Sequence, residues 1–382
     1  MNEDRLRSLL RDAPLPPADR ARALAVVRQA FAERERIAWP RRHARALALA
    51  GCAAAVVAAA LSPPGRAVLG DVREAIGTEH ARTALFSLPA PGRLLVTSGG
   101  GAWVLSPDGS KRLLGSYREA SWSPFGRFVV AARRDELAAL EPDGTVHWTL
   151  SRPAVRFPRW AGTHIDTRIA YLSGSRLHLV AGDGTHDVDL CGEPAAAPVA
   201  PAWRPGMRRE LAYVTARGRV YVLDPDACSL LWRSSPYPRP RLLQWSTDGR
   251  HLALVTADKL VVFAGRRPTV RFMRGISSAA FAPSGRTLAV VQRRSVLLVD
   301  PDAPRTKPRR LFAGTGRLGD LAWSSDGRWL LVTWPGADQW LFVRLSGGKL
   351  LAYSRISEQF GGGAFPSLGG WCCVTASPRT RG

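Results

Sequence analysis

Trp323-Ser324-Ser325-Asp326-Gly327-Arg328, running straight into Trp329-Leu330-Leu331-Val332-Thr333, joins a turn to an apolar strand, and its reading decides the fold. In such a turn Asp or Ser bonds to nearby backbone, and Gly takes the left-handed conformation that lets the chain reverse. The same unit recurs as Trp122-Ser123-Pro124-Phe125-Gly126-Arg127, Trp245-Ser246-Thr247-Asp248-Gly249-Arg250 and Phe281-Ala282-Pro283-Ser284-Gly285-Arg286. Each copy leads into an apolar run: Phe128 to Ala132, Leu252 to Thr256 and Leu288 to Val291.

Weaker copies fill the gaps, at Leu88 to Arg93, Trp160 to Gly162, Trp203 to Gly206, and Phe365 to Gly370 followed by Trp371-Cys372-Cys373-Val374. The aromatic anchors Trp122, Trp160, Trp203, Trp245, Phe281, Trp323 and Phe365 are 38, 43, 42, 36, 42 and 42 residues apart. That interval suits a repeat of four short strands. A second turn recurs within the unit, at Ser106-Pro107-Asp108-Gly109, Glu141-Pro142-Asp143-Gly144, Asp224-Pro225-Asp226 and Asp300-Pro301-Asp302, where proline presets φ. Fainter third strands end near Asp183, Gly265 and Gly347. Each aromatic and the strand after it is expected to stack between neighbouring sheets.

On these residues, roughly 82–376 resembles the TolB-type, WD40-like β-propeller repeat, whose signature is Trp-Ser-Pro-Asp-Gly, a basic residue and an apolar strand. The Gly-His and Trp-Asp pairs of true WD40 repeats are not at the corresponding positions. The resemblance implies an all-β fold of four-stranded blades. Seven blades are expected, with eight as the alternative, because the last copy reads as two strands whose pairing is open. Trp122, Gly126, Trp160, Trp203, Trp245, Gly249, Phe281, Gly285, Trp323, Gly327 and Phe365 are expected to be structural positions of the repeat.

Before the repeats, residues 1–43 carry two helical patterns separated by Ala13-Pro14-Leu15-Pro16-Pro17, with Leu24, Val27 and Phe31 forming one apolar stripe. Ala46 to Leu61 are 16 uncharged, mostly apolar residues, rising about 24 Å as a helix, after which Ser62, Pro63 and Pro64 end the run. Arg41, Arg42 and Arg45 precede it, which favours a cytoplasmic N-terminus. Leu49-Ala50-Gly51-Cys52 matches a lipobox, but only six residues separate Arg45 from Cys52. The expectation is therefore a cytoplasmic helical segment (1–43), one uncleaved transmembrane helix (44–62), a linker (63–81), the propeller (82–376) and a tail (377–382). A cleaved or lipidated signal, or a buried Ala-rich helix, remains as an alternative reading of the apolar run.

A chain of 382 residues with 46% hydrophobic and 22% charged residues has a folding composition, and 36 Gly with 29 Pro favour many turns. The net charge of +23 comes mostly from arginines scattered singly or in pairs, without a run of five. That disfavours nucleic acid as a partner and leaves anionic envelope surfaces as weak contacts. The five cysteines have no metal spacing. Cys191 and Cys228 are a candidate disulfide if this region lies in an oxidising compartment.

No nucleophile elbow, His-Glu-x-x-His, P-loop or dinucleotide-binding glycine motif is present. Gly99-Gly100-Gly101 and Gly361-Gly362-Gly363 read as loops. His164 with Asp166, and Asp183, His186, Asp187 and Asp189, are the polar clusters to weigh as metal or acid-base sites, but Asp183-Gly184 occupies a repeat turn. No catalytic residue, cofactor or metal is expected. The reading is an extracytoplasmic, membrane-anchored module that binds a protein or envelope ligand through its loops. One alternative is a regulator laid out like an anti-sigma factor, with 1–43 holding a cytoplasmic partner; another is an enzyme with a site in the central channel.

Overall fold

The computed structural model describes residues 87–373, apart from 162–165, 191, 207–208 and 304. β1 (Arg93–Ser98), β2 (Gly101–Leu105) and β3 (Lys111–Gly115) come first, in the first blade. The second blade is β4 (Glu119–Trp122), β5 (Val129–Arg133), β6 (Glu136–Leu140) and β7 (Val146–Ser151). The third is β8 (Val155–Trp160), β9 (Ile169–Ser173), β10 (Arg176–Val180) and the short β11 (Val188–Asp189). The fourth is β12 (Ala202–Trp203), β13 (Leu211–Val214), β14 (Arg219–Asp224) and β15 (Ser229–Pro236). The fifth is β16 (Pro240–Trp245), β17 (His251–Thr256), β18 (Lys259–Ala264) and β19 (Arg267–Phe272). The sixth is β20 (Ile276–Phe281), β21 (Leu288–Gln292), β22 (Ser295–Val299) and β23 (Arg309–Ala313). The seventh is β24 (Leu321–Trp323), β25 (Trp329–Trp334), β26 (Gln339–Arg344) and β27 (Leu350–Ser354). One turn of helix, α1 (Ile356–Gln359), then leads to β28 (Ser367–Cys372).

Seven four-stranded antiparallel sheets result, and the first has the order β28-β1-β2-β3. The eight-blade alternative is thereby corrected: the last copy supplies one described strand, which completes the blade begun by β1. The innermost strands touch in sequence, β4 on β8, β8 on β12 and so on to β24 on β28, and β28 on β4 closes the circle. Pairing with β28 covers the edge of β1, and each sheet keeps only its short innermost and outermost edges.

The core is divided among the blade interfaces. Leu94 and Val96 pack with Trp340 and Phe342 of the seventh blade, whereas Leu95 faces Val129 and Ala131 of the second. On the next strand round, Val130 and Ala132 join Ile169 and Tyr171 of the third. Both faces of each second strand are thus covered, which is why these strands read as continuous apolar runs rather than as alternating ones.

The turn after each anchor works as its residues dictate. Ser324 Oγ donates to Asp326 Oδ1 (2.6 Å), which also accepts from the Arg328 N–H (3.0 Å), and the Trp329 N–H donates to Ser324 Oγ (2.9 Å). Ser246, Asp248, Arg250 and His251 repeat these bonds. Gly285 needs its hydrogen for two reasons: φ is +74°, and a Cβ there would lie 2.6 Å from Asp248 Cγ in the preceding blade's turn. Gly126 similarly faces the sulfurs of Cys372 and Cys373, which are bonded to each other.

Residues 1–86, and with them the expected helical segment, transmembrane helix, Cys52 and linker, lie outside the described residues, as do 374–382. Among the described residues no helix is long and apolar enough to cross a membrane.

Candidate functional site

Trp122, Trp160, Trp203, Trp245, Phe281 and Trp323 each end the innermost strand of a blade, paired with the first or second residue of the apolar strand: Val129, Ile169, Leu211, Leu252, Leu288 and Leu330. Phe365 does not complete the set. It precedes β28, and Trp371 pairs with Leu94 in the anchor register. The insertion carrying α1 and Gly361 to Gly363 lengthens the last interval, so the position expected six residues earlier is displaced. Gly99, Gly100 and Gly361 to Gly363 are loop residues that face each other, whereas Gly101 opens β2; Ser98 Oγ donates to the Phe360 carbonyl (2.8 Å) nearby.

Anchor indoles tie neighbouring blades. Trp122 Nε1 donates to the Gly370 carbonyl (3.2 Å), Trp203 Nε1 to Arg159 (3.0 Å) and Trp323 Nε1 to Ala280 (2.9 Å), always to the residue before the preceding anchor. A second device was not read from the sequence. Glu119 and Asp320, each three residues before an anchor, accept the backbone N–H of the same position in the next blade, Phe157 and Leu368. Burial raises the pKa of Asp320, with the Leu368 N–H opposing. The signal was an acidic residue at one fixed offset in two copies.

The polar clusters resolve into ion pairs. Asp187 accepts from Arg152 Nε (2.6 Å) and the Tyr171 hydroxyl (2.5 Å), with His178 Nδ1 at 3.6 Å. Burial first, then that carboxylate, pushes the Tyr171 phenol up. Asp166 is bonded to Arg168, which also reaches Asp226 (2.8 Å), and Asp189 pairs with Arg176. Asp183 closes its turn on Thr185, whose side-chain and backbone donors hold its pKa down, and the Thr185 hydroxyl lies 2.7 Å from His186 Nδ1. His164 lies outside the described residues. Among the described residues no group of three or more His, Cys, Asp or Glu side chains is arranged to hold a metal ion. Cys228 is a disulfide cysteine; Cys191, its expected partner, lies outside the described residues.

Antiparallel connectivity sorts the loops into two ends. Turns after the first and third strands of a blade share one end; those after the second strand, and the link to the next blade, share the other. At the first end Arg168 and Arg209 both pair with Asp226, Arg204 pairs with Glu210, and His251 Nε2 lies 3.1 Å from Asp302. This end also bears a cleft of about 560 Å³ between the second and third blades, lined by Phe125, Phe128, His147, Trp148 and Trp160. Arg127, Arg250, Arg286 and Arg328 at the first end, and Arg118, Arg217, Arg239, Arg274, Arg294 and Arg317 at the second, are exposed and make no ion pair among the described residues. A cleft of about 580 Å³ between the first and second blades opens on the second end.

No protein-family model matches the sequence, and no curated protein does. Among solved structures, the chain is similar to the β-propeller domain of Cps50 (Swd1) from Myceliophteria thermophila, at 15% identity and a TM-score of 0.50, covering 61% of this chain and 84% of that one. It is also similar to the WD40 domain of Pan2 from Neurospora crassa, at 7% identity and a TM-score of 0.49, covering 62% and 78%. The fold is that of a WD40-like seven-bladed β-propeller.

Proposed function

We propose that this chain is a non-catalytic binding module, held at the cell envelope by residues 46–61 with the propeller outside the cytoplasm. The supporting observation is that connections from all seven blades gather at each end of the ring, where exposed arginines lack ion-pair partners among the described residues. Loops on a rigid scaffold present side chains from several blades to one partner at little ordering cost. The Ala46–Leu61 run and the arginines before it support the anchor and its orientation.

The test uses the tagged full-length chain in mild detergent, mixed with the cell-wall and membrane fraction of its own cells. Recovery of a specific envelope protein supports the reading; recovery of none contradicts it. Extraction of native membranes with alkaline carbonate tests the anchor separately, since release of the full-length chain would remove it.

A further inference from the structure

We infer that the inner wall of the ring carries a site for a small oxyanion, a carboxylate or a phosphate, held by the guanidinium of Arg159. The site lies on the innermost strands rather than on the loops, and it does not depend on which partner the loops bind. Three observations carry it.

The first is the layer in which Arg159 stands. The residue before each anchor keeps one register against the second strand of its blade, so these residues form a single layer round the axis. Ser121, Ala202, Ala280, Ala322 and Gly370 are its small members. Arg159 and Gln244, two blades apart, are its long ones. Gln244 Oε1 is buried without a hydrogen-bond partner, so the layer leaves polar groups unmet where its small members leave room.

The bonding of Arg159 is the second. Its Nη1 donates to the Pro158 carbonyl (2.8 Å), which also accepts from the Ser121 hydroxyl (2.8 Å), and the guanidinium is thereby kept beside the innermost strands of the second and third blades. A guanidinium has five N–H donors. Among the described residues the Arg159 side chain makes no other hydrogen bond, no ion pair and no contact over an aromatic ring. Glu119 acts on it favourably but does not neutralise it. That carboxylate accepts from Arg156 Nε (3.3 Å) and from the Phe157 N–H, so two guanidiniums share one carboxylate and a net positive charge remains.

Thirdly, other buried cations of the ring are compensated and Arg159 is not. Burial lowers the pKa of Arg93, Lys111 and Arg159 alike. Arg93 lies over the Trp122 ring (5.3 Å) and donates to the Gly126 carbonyl (2.6 Å), and Lys111 lies over the Phe360 ring (5.9 Å). A desolvated charge left without such a partner weakens the fold, and an anion relieves it. The planar fork of Arg159 suits an oxyanion, which takes two parallel N–H bonds, better than a spherical ion such as chloride.

The experiment is thermal unfolding of the full-length chain in detergent, titrated with sodium phosphate or sodium succinate while sodium chloride holds the ionic strength constant. A saturable rise in melting temperature is expected with at least one of the two, and the tighter apparent dissociation constant tells a phosphate site from a carboxylate site. Arg159→Gln should weaken that binding about tenfold or more, and Arg159→Lys, which keeps the charge without the fork, about threefold. Arg286→Gln, on an exposed turn, should leave it unchanged. In chloride alone Arg159→Gln should unfold no earlier than the native chain, because it removes a buried charge that has no counter-ion. No saturable rise with either anion, equal binding by the native chain and Arg159→Gln, an equal loss in Arg286→Gln, or earlier unfolding of Arg159→Gln in chloride would overturn the inference. Any of these leaves the binding-module reading standing, and failure to recover an envelope protein leaves this site standing.

Discussion

Asp320 shows how one side chain can be read only in three dimensions. In sequence it is an acid three residues before Trp323; in the fold it is a half-buried carboxyl that accepts one N–H from the next blade. Because burial raises its folded pKa above the ordinary value near 3.9, ionisation penalises the folded state, fully so at neutral pH. Asp320→Asn keeps an acceptor for Leu368 and removes the charge. We predict that it raises the melting temperature at pH 7, and that the gain shrinks as pH falls through the raised pKa and vanishes below about 4. A gain that is constant with pH would contradict this account. Asp326 has the opposite sign. Its turn burial raises its pKa, but the Ser324 hydroxyl and the Arg328 N–H outweigh that and hold it low, so its contribution is present at neutral pH and lost as pH falls through the depressed value. The turn was legible because Ser, Asp and Gly act locally; Asp320 was not, because its partner Leu368 is 48 residues away.

At the scale of the element, β28 matters most. Its register places Trp371 opposite Leu94, in the anchor position, with Phe365 before the strand. Trp371 is buried against Leu94 and Phe342, and its ring lies 5.7 Å from that of Phe342 at 83°. Trp371→Ala should cost about 3–5 kcal/mol, the range for truncating a buried aromatic. Phe365→Ala, at a half-buried site on the edge of the same cluster, should cost clearly less in urea unfolding. The reverse order would restore Phe365 as the anchor. Spacing alone pointed to Phe365 because it continued an interval of 42 residues, and no local signal marks that α1 and its glycines are inserted there.

For the molecule as a whole, the ring is expected to stand or fall together, since each sheet hides its apolar faces against two neighbours. Removing residues 367–382 would strip β28 from β1 and uncover β4 and β24, which it touches. That truncation should abolish cooperative unfolding, whereas a chain that kept a single sharp transition would show that closure is dispensable. Fold class, repeat length and blade number were readable from Trp-Ser-x-Asp-Gly units because packing repeats with the sequence. Which arginines share an end was not, because Arg118, Arg239 and Arg274 are far apart along the chain and come to one end only after antiparallel pairing sorts the loops. Amide hydrogen exchange of the full-length chain tests closure of the ring by β28 most directly. The amides of 367–372 are predicted to be as protected as those of 93–98, with which they pair. Fast exchange at 367–372 beside a protected 93–98 would contradict it.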